Sequence, residues 1–194
     1  MSPKPEGYEI PPLKAFDPKH DQDLSEFKEI FPRREGGRPA TTDWEPHQQI
    51  DQHADPEIWD ELARRCFSLP NVKEIESLIS VPGARALWLD ESVQGGPKEA
   101  FIIEREFAHI HPKPDASTHL HLPLEIAVFA ISAGWAELHN VSWLGLAGAE
   151  TVMLYAPRDE EELEVIWSLV EESYRFACGE PPKFKVEPQK AAAA

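Results

Sequence analysis

The chain has 194 residues, 35 of them acidic and 19 basic, for a formal net charge of −16. A surface that negative repels phosphate backbones and anionic headgroups, which excludes nucleic acid and membrane surfaces as partners. No apolar run reaches the roughly 20 residues of a membrane helix, the N-terminus lacks a basic-then-apolar signal pattern, and Cys66 and Cys178 read as reduced thiols, so a soluble, cytoplasmic protein is expected.

Residues 1–55 are rich in proline and charge and poor in apolar periodicity, and they read as an extended N-terminal arm wrapping the domain. Within it, "DLSEFKEIF" predicts a short helix with Leu24, Phe27, Ile30 and Phe31 on one side. The domain proper is expected over residues 56–180, with residues 181–194 as a C-terminal tail. Asp55 as N-cap and Pro56 at the first helical position open a helix that lines up Ile58, Leu62 and Cys66. A second short helix is expected in "NVKEIESLIS". "ARALWLD" and "EAFIIEREFAHIH" then read as strands, joined by the flexible "ESVQGGPK", and "THLHL" follows as another.

Pro123 opens the apolar helix "PLEIAVFAISAG", which Gly134 terminates. "WAELH" and "TVMLYA" are two further strands joined by the Gly-containing "WLGLAGA". In the last helix Asp159 caps the start and Glu162 completes a capping box. Leu163, Ile166, Val170, Tyr174 and Ala177 form its inward stripe, and Gly179 ends it. Hairpin-length connections among the first three strands demand antiparallel pairing. The expected fold is therefore α+β: a single, mostly antiparallel sheet with helices packed on it.

Half of the eight histidines fall in "HIHPKPDASTHLH", residues 109–121. Alternation along a strand places His109 and His111 on one face, and likewise His119 and His121. If the hairpin pairs residues whose numbers sum to 230, His111 faces His119, His109 faces His121, and all four imidazoles crowd together. A slip of one residue dissolves the cluster. Three readings stay open: a metal site, an acid/base or oxyanion site, and a solvated or partner-facing strand. Against the metal stands the absence of a nearby Cys or carboxylate, with Glu106 expected on the strand's other face. Two-histidine phosphoesterases need His-x-Ser/Thr twice, and histidine-triad hydrolases need three alternating histidines in one strand; neither pattern is present.

The runs "REFAHIHPKPDASTHLHLP", "GWAELH" and "LYAPRDEEE", with "FPRREGGRP" upstream, resemble the luciferase domain of bioluminescent fungi and its non-luminous relatives. The likeness covers residues 31–39 and 100–178. Matching positions are Arg105, Glu106, His109, His111, His119, Trp135, His139, Tyr155 and Arg158, with Arg38 and Pro39 upstream. The resemblance implies a small-molecule site and, for luminous members, cofactor-independent addition of O₂ to an enolic, polyketide-derived pyrone, followed by loss of CO₂. Such chemistry needs a base to make the enolate, a fixed positive group for the anions, and exclusion of water.

On that scheme His109 or His111 is the base, and His119 and His139 orient it or the substrate. Arg158 or Arg105 stabilises the anion. Arg105, Trp135, Tyr155 and His121 are the candidates for substrate contact. No cofactor is expected; the alternative is a divalent transition metal on His109, His111, His119 and His139, and a third reading is a non-catalytic binding module. Simpler roles stand beside these: Trp135 as a core anchor, Tyr155 bonded to a backbone carbonyl, and Arg158 paired with Glu161 or Glu162. His20, His47 and His53 lie in the polar arm and receive no role. The luminous members also carry an N-terminal membrane segment not expected here, and His121 stands where they have a small residue. Both differences argue against light emission.

Overall fold

The computed structural model describes residues 32–143 and 147–184. The helix expected at residues 23–31 lies outside them. One sheet of six strands organises the described residues. In chain order the strands are β1 (Val72–Glu76), β2 (Arg85–Leu89), β3 (Glu106–Ile110), β4 (Thr118–His121), β5 (Ala136–Leu138) and β6 (Thr151–Leu154). They lie side by side as β1-β2-β3-β4-β6-β5, and every neighbouring pair is antiparallel. Helices α1 (Pro56–Cys66), α2 (Leu124–Ser132), the short α3 (Asn140–Trp143) and α4 (Glu160–Ala177) complete the α+β architecture.

Side-chain alternation gives the sheet two different faces. The transverse row Leu87, Ala108, Leu120, Val152 and Leu138 is apolar and buried in the core shared with α1, α2 and α4. Each buried Leu or Val there contributes about 1.5–3 kcal/mol of apolar transfer. The next row along the strands is Ala86, His109, His119, Met153 and Glu137, and it points the other way. Stability comes from the first row and the candidate site from the second.

Several local expectations change. "NVKEIESLIS" supplies strand β1, not a helix. Lys and Glu favour helix weakly, but cross-strand pairing wins: Arg85 forks onto Glu74, with Nε–Oε1 at 2.7 Å and Nη2–Oε2 at 2.9 Å. The long strand expected from residue 99 is a 3-10 turn at Lys98–Ala100, then a turn at Glu104 (φ +50°), and only then β3. Gly134 does end α2, in the left-handed region at φ +85°. At α4 the Asp159 side chain accepts from the Glu162 N–H at 2.8 Å. The Glu162 carboxylate, however, turns to the N–H and guanidinium of Arg158, so the reciprocal half of the box is replaced by an ion pair.

Residues 32–54 lie across the sheet's polar side. Trp135 Nε1 donates to Pro32 O at 2.7 Å, the Ala156 N–H to Gln49 Oε1 at 2.9 Å, and Asn140 Nδ2 to Thr42 O at 3.2 Å. This segment is anchored by hydrogen bonds to β5, β6 and their flanks, and it roofs the second row.

Candidate functional site

Between that roof and the sheet is a cavity of about 500 Å³. Six histidines line it: His47, His109, His111, His119, His121 and His139. Ile79, Val81, Phe101, Ile102 and Val141 supply apolar wall. All six imidazoles are buried.

The β3–β4 hairpin has the parity expected, slid by one pair. His109 faces His119, so the paired numbers sum to 228 and not 230. The shift by two keeps all four histidines on one face, since only an odd slip inverts a strand. It pairs His111 with Ser117 through the His111 N–H, and it carries His121 toward the far end of the row. His121 there donates from Nδ1 to Glu99 O at 2.7 Å and accepts from Thr151 Oγ1 at 2.8 Å. Both of its nitrogens are satisfied.

Glu106 is not on the far face. Trp88 pairs with Glu106 while Leu87 pairs with Ala108, leaving Phe107 as the extra residue of a β-bulge. The bulge breaks the alternation, and Glu106 Oε1 comes within 2.7 Å of His109 Nδ1. Ser77 Oγ holds the same carboxylate at 2.7 Å. The hairpin turn brings a second acid that the sequence reading passed over: Asp115 Oδ2 is 2.5 Å from His111 Nδ1. A third pair is His47 Nε2 with Glu137 Oε1 at 2.7 Å. His47, set aside as an arm residue, is 1% exposed and packs against His119 and His139, with ring centroids 5.3 and 4.9 Å apart.

These carboxylates fix the imidazole protons. A carboxylate only accepts, so His109 and His111 carry their protons on Nδ1 and His47 on Nε2. Burial works against the ionised forms of Asp115 and Glu137. Their hydrogen bonds from His111 and Ser117, and from His47 and Tyr155, outweigh it and hold both below the usual carboxyl range. Burial pushes His109 below the ordinary histidine value despite Glu106, and it pushes His119 and His139 well below, reinforced by the neighbouring imidazoles.

The protons do not close around His119. His109 Nε2, a bare lone pair, is 3.1 Å from His119 Nδ1, and His139 Nε2 is 3.2 Å from the same atom. The Val141 N–H donates to His139 Nδ1 at 3.2 Å, which places the His139 proton on Nε2. One nitrogen of a neutral ring either donates to His109 or accepts from His139. Meanwhile His47 Nδ1 and His119 Nε2 are buried with no hydrogen-bond partner. Two groups of three imidazoles bring ring nitrogens within 4.8 Å of one another and can hold a metal ion: His47, His119 and His139, and His109, His111 and His119.

The other predicted site residues lie outside the cavity lining. Arg105 gives Nε to Leu89 O at 2.7 Å and Nη2 to Asp90 O and Val93 O at 2.9 and 2.8 Å, fastening the loop after β2. Arg158 binds Glu162 and Glu35 O. Trp135 is buried and donates to Pro32 O. The Tyr155 hydroxyl donates to Glu137 Oε2 at 2.9 Å, a carboxylate and not a backbone carbonyl. Tyr155 thus stands behind the Glu137–His47 pair.

Comparison with known proteins bears on this site directly. Residues 104–173 match the luciferase domain family. That range holds five of the six cavity histidines and leaves His47 outside. The chain is 29% identical over 168 residues to a luciferase of Armillaria gallica, a match covering 78% of this chain and 62% of that protein. It is 35% identical over 80 residues to a luciferase of Armillaria mellea, covering 40% and 30%. Against a luciferase of Neonothopanus nambi it is 35% identical over 89 residues, covering 45% and 33%. The matches span less than two thirds of each of these relatives. No solved structure gives a significant match. Among the described residues no helix is long and apolar enough to cross a membrane.

Proposed function

We propose that the histidine-lined cavity binds a small, enolisable, pyrone-like substrate and that the chain deprotonates it for reaction with O₂. The observation that carries this reading is the His111–Asp115 pair. It is buried, it leaves His111 Nε2 as the basic atom, and it borders a cavity with one apolar wall. Ser80 Oγ, 3.0 Å from that nitrogen, occupies the place a substrate hydroxyl would take.

In the first step the enol O–H proton passes to His111 Nε2, and Asp115 stabilises the imidazolium as it forms. The electron-rich enolate carbon then donates to O₂, and formation of the C–O bond leaves a peroxide anion on the substrate. The roof over residues 41–50 and the apolar wall exclude water from these anions. Arg105 and Arg158 do not line the cavity, so neither supplies the balancing positive charge. The resemblance to the luciferase domain of bioluminescent fungi supports the substrate class, and the chemistry of the pair supports the base.

The test is oxygen uptake with a series of hydroxylated pyrones. Substrate-dependent consumption is expected, with a loss of about 10²–10⁴-fold in His111→Ala. Full turnover by His111→Ala would remove the assignment, and no uptake with any enolic substrate would remove the reading.

A further inference from the structure

We infer that His47, His119 and His139 form a binding site for one divalent transition-metal ion, with an open position toward the cavity. The argument begins with His47. Its Nε2–H is committed to Glu137, so Nδ1 presents a lone pair, and that atom is buried without a partner. A buried polar atom left unpaired is costly and rare. His119 Nε2 is a second such atom, on a ring 4% exposed. Both belong to one group of three imidazoles whose ring nitrogens converge within 4.8 Å. In the competing group of His109, His111 and His119, the His111 Nε2 already has a hydroxyl partner in Ser80. His119 is common to both groups, so the unpaired Nδ1 of His47 decides for the first.

What stands behind the rings points the same way. A metal-bound histidine characteristically donates its other N–H to a carboxylate, which fixes the tautomer and raises the ring's basicity. Glu137 does this for His47 and is itself held by Tyr155. Glu45 Oε1 is buried, lacks a hydrogen bond, and lies 3.7 Å from His139 Nδ1. Ligation through His139 Nε2 moves that ring's proton to Nδ1, which gives up the 3.2 Å contact from the Val141 N–H and takes Glu45 as its acceptor. The same move removes the proton conflict at His119. Three neutral imidazoles suit a first-row divalent ion, and three protein ligands with an open fourth position is the arrangement of catalytic rather than structural sites.

The site stands on this geometry alone; only its use in the reaction rests on the function proposed above. There it would provide the fixed positive charge that Arg105 and Arg158 do not bring to the cavity. That use replaces the cofactor-free scheme implied by the family resemblance.

Tag-free protein, stripped with a chelator and dialysed, is titrated with Co²⁺ and followed by visible absorption and calorimetry. Saturable binding of one ion per chain is expected, with the d–d bands of a low-coordinate nitrogen site. His47→Ala should weaken Co²⁺ binding by more than about tenfold and Glu137→Gln by about 10–100-fold. Glu45→Gln, which keeps the packing and removes the negative charge, should weaken it as well. Circular dichroism verifies that each variant is folded, and the two isosteric changes carry the test if His47→Ala is not. Absence of saturable binding to the stripped wild type overturns the inference. So does binding that survives all three changes but is lost in His111→Ala, since that places the ion on the other group. Both outcomes are read without substrate, so a failed oxygen-uptake assay leaves them intact.

Discussion

His47 Nε2 and Glu137 Oε1 meet at 2.7 Å across ninety residues of chain. The contact ties the segment before α1 to the middle of β5, and it continues through Glu137 Oε2 to the hydroxyl of Tyr155, the residue that follows β6. One carboxylate therefore satisfies two buried donors from separate parts of the chain. Glu137→Ala leaves both without an acceptor. A loss of about 1–3 kcal/mol for each stranded donor is expected in urea denaturation, whereas Glu137→Gln, which retains an acceptor oxygen, should cost less.

The buried histidines make stability depend on pH in a definite direction. His109 and His121 titrate below the ordinary value and His119 and His139 well below it, because burial penalises the imidazolium. Unfolded, each binds a proton near pH 6.5; folded, each does so only at lower pH. The unfolded state therefore holds more protons as the pH falls, and stability declines on acidification. The contribution is fully present above about pH 6.5 and is lost at about 1.4 kcal/mol per pH unit per histidine below it. Asp115 and Glu137 act in the same sense only near and below their unfolded values around pH 4, outside the first part of this window. Urea unfolding of chelator-stripped protein at steps from pH 8 to pH 5 should show a flat region and then a fall. A stability that rises from pH 7 to pH 5.5 would contradict neutral burial of these rings.

Arg105 and Arg158 give a prediction with the opposite signature. Arg105 supplies three hydrogen bonds to the carbonyls of Leu89, Asp90 and Val93, and its side chain does not line the cavity. Arg105→Ala should lower the melting temperature while leaving the rate per folded molecule unchanged. Arg158→Ala should behave similarly through Glu162, whose carboxylate also lies 3.5 Å from the buried Arg34 Nε. A large drop in turnover at unchanged stability, in either variant, would bring the arginine back into the chemistry.

The sheet was legible where composition and alternation agree. "THLHL" alternates within a buried strand, and Gly134 and Asp159 punctuate α2 and α4 as their side chains and φ freedom require. The histidine face followed from parity alone and survives a two-residue slip in register, because only odd slips invert a strand. Glu106 was misplaced since strict alternation holds only for a regular strand, and nothing in "REFAHIH" announces the extra residue at Phe107. Asp115 had a local signal, four residues after His111 within a Pro-bounded turn that folds back over the strand. His47 had none. Its burial depends on residues 41–50 crossing the sheet to reach β5 and β6, a long-range arrangement that periodicity does not encode. Glu45 enters the site by the same route and meets a site that already holds Glu137 from β5. Of the carboxylates that meet the histidines, Asp115 lies within the motif and Glu106 just before it, whereas Glu45 and Glu137 come from elsewhere in the chain.

Asp115 offers a test of how His111 is held. Asp115→Asn keeps the shape, but its amide can present nitrogen or oxygen to the ring and no longer stabilises the imidazolium. Because Asp115 Oδ1 also accepts from Ser117 Oγ and from the Gln49 N–H, the turn should remain in place. Turnover in the oxygen-uptake assay is expected to fall by about 10²-fold or more. Wild-type turnover per folded molecule in Asp115→Asn would mean that Asp115 serves only the turn.

His121 separates wall from machinery. Its Nδ1–H is used by Glu99 O and its Nε2 by Thr151, so no lone pair or free proton points into the cavity for either base or ligand work. It still lines the cavity. His121→Ala should therefore enlarge the cavity, lower KM for bulkier pyrones relative to small ones, and leave Co²⁺ stoichiometry at the wild-type value. The hydroxyl of Thr151 loses its acceptor, so a modest destabilisation of about 1 kcal/mol should accompany the change. Comparing KM across substrates of increasing size in wild type and His121→Ala decides the point. A fall in kcat for every substrate, with no change in size preference, would show that His121 acts on the reaction and not on the shape of the space around it.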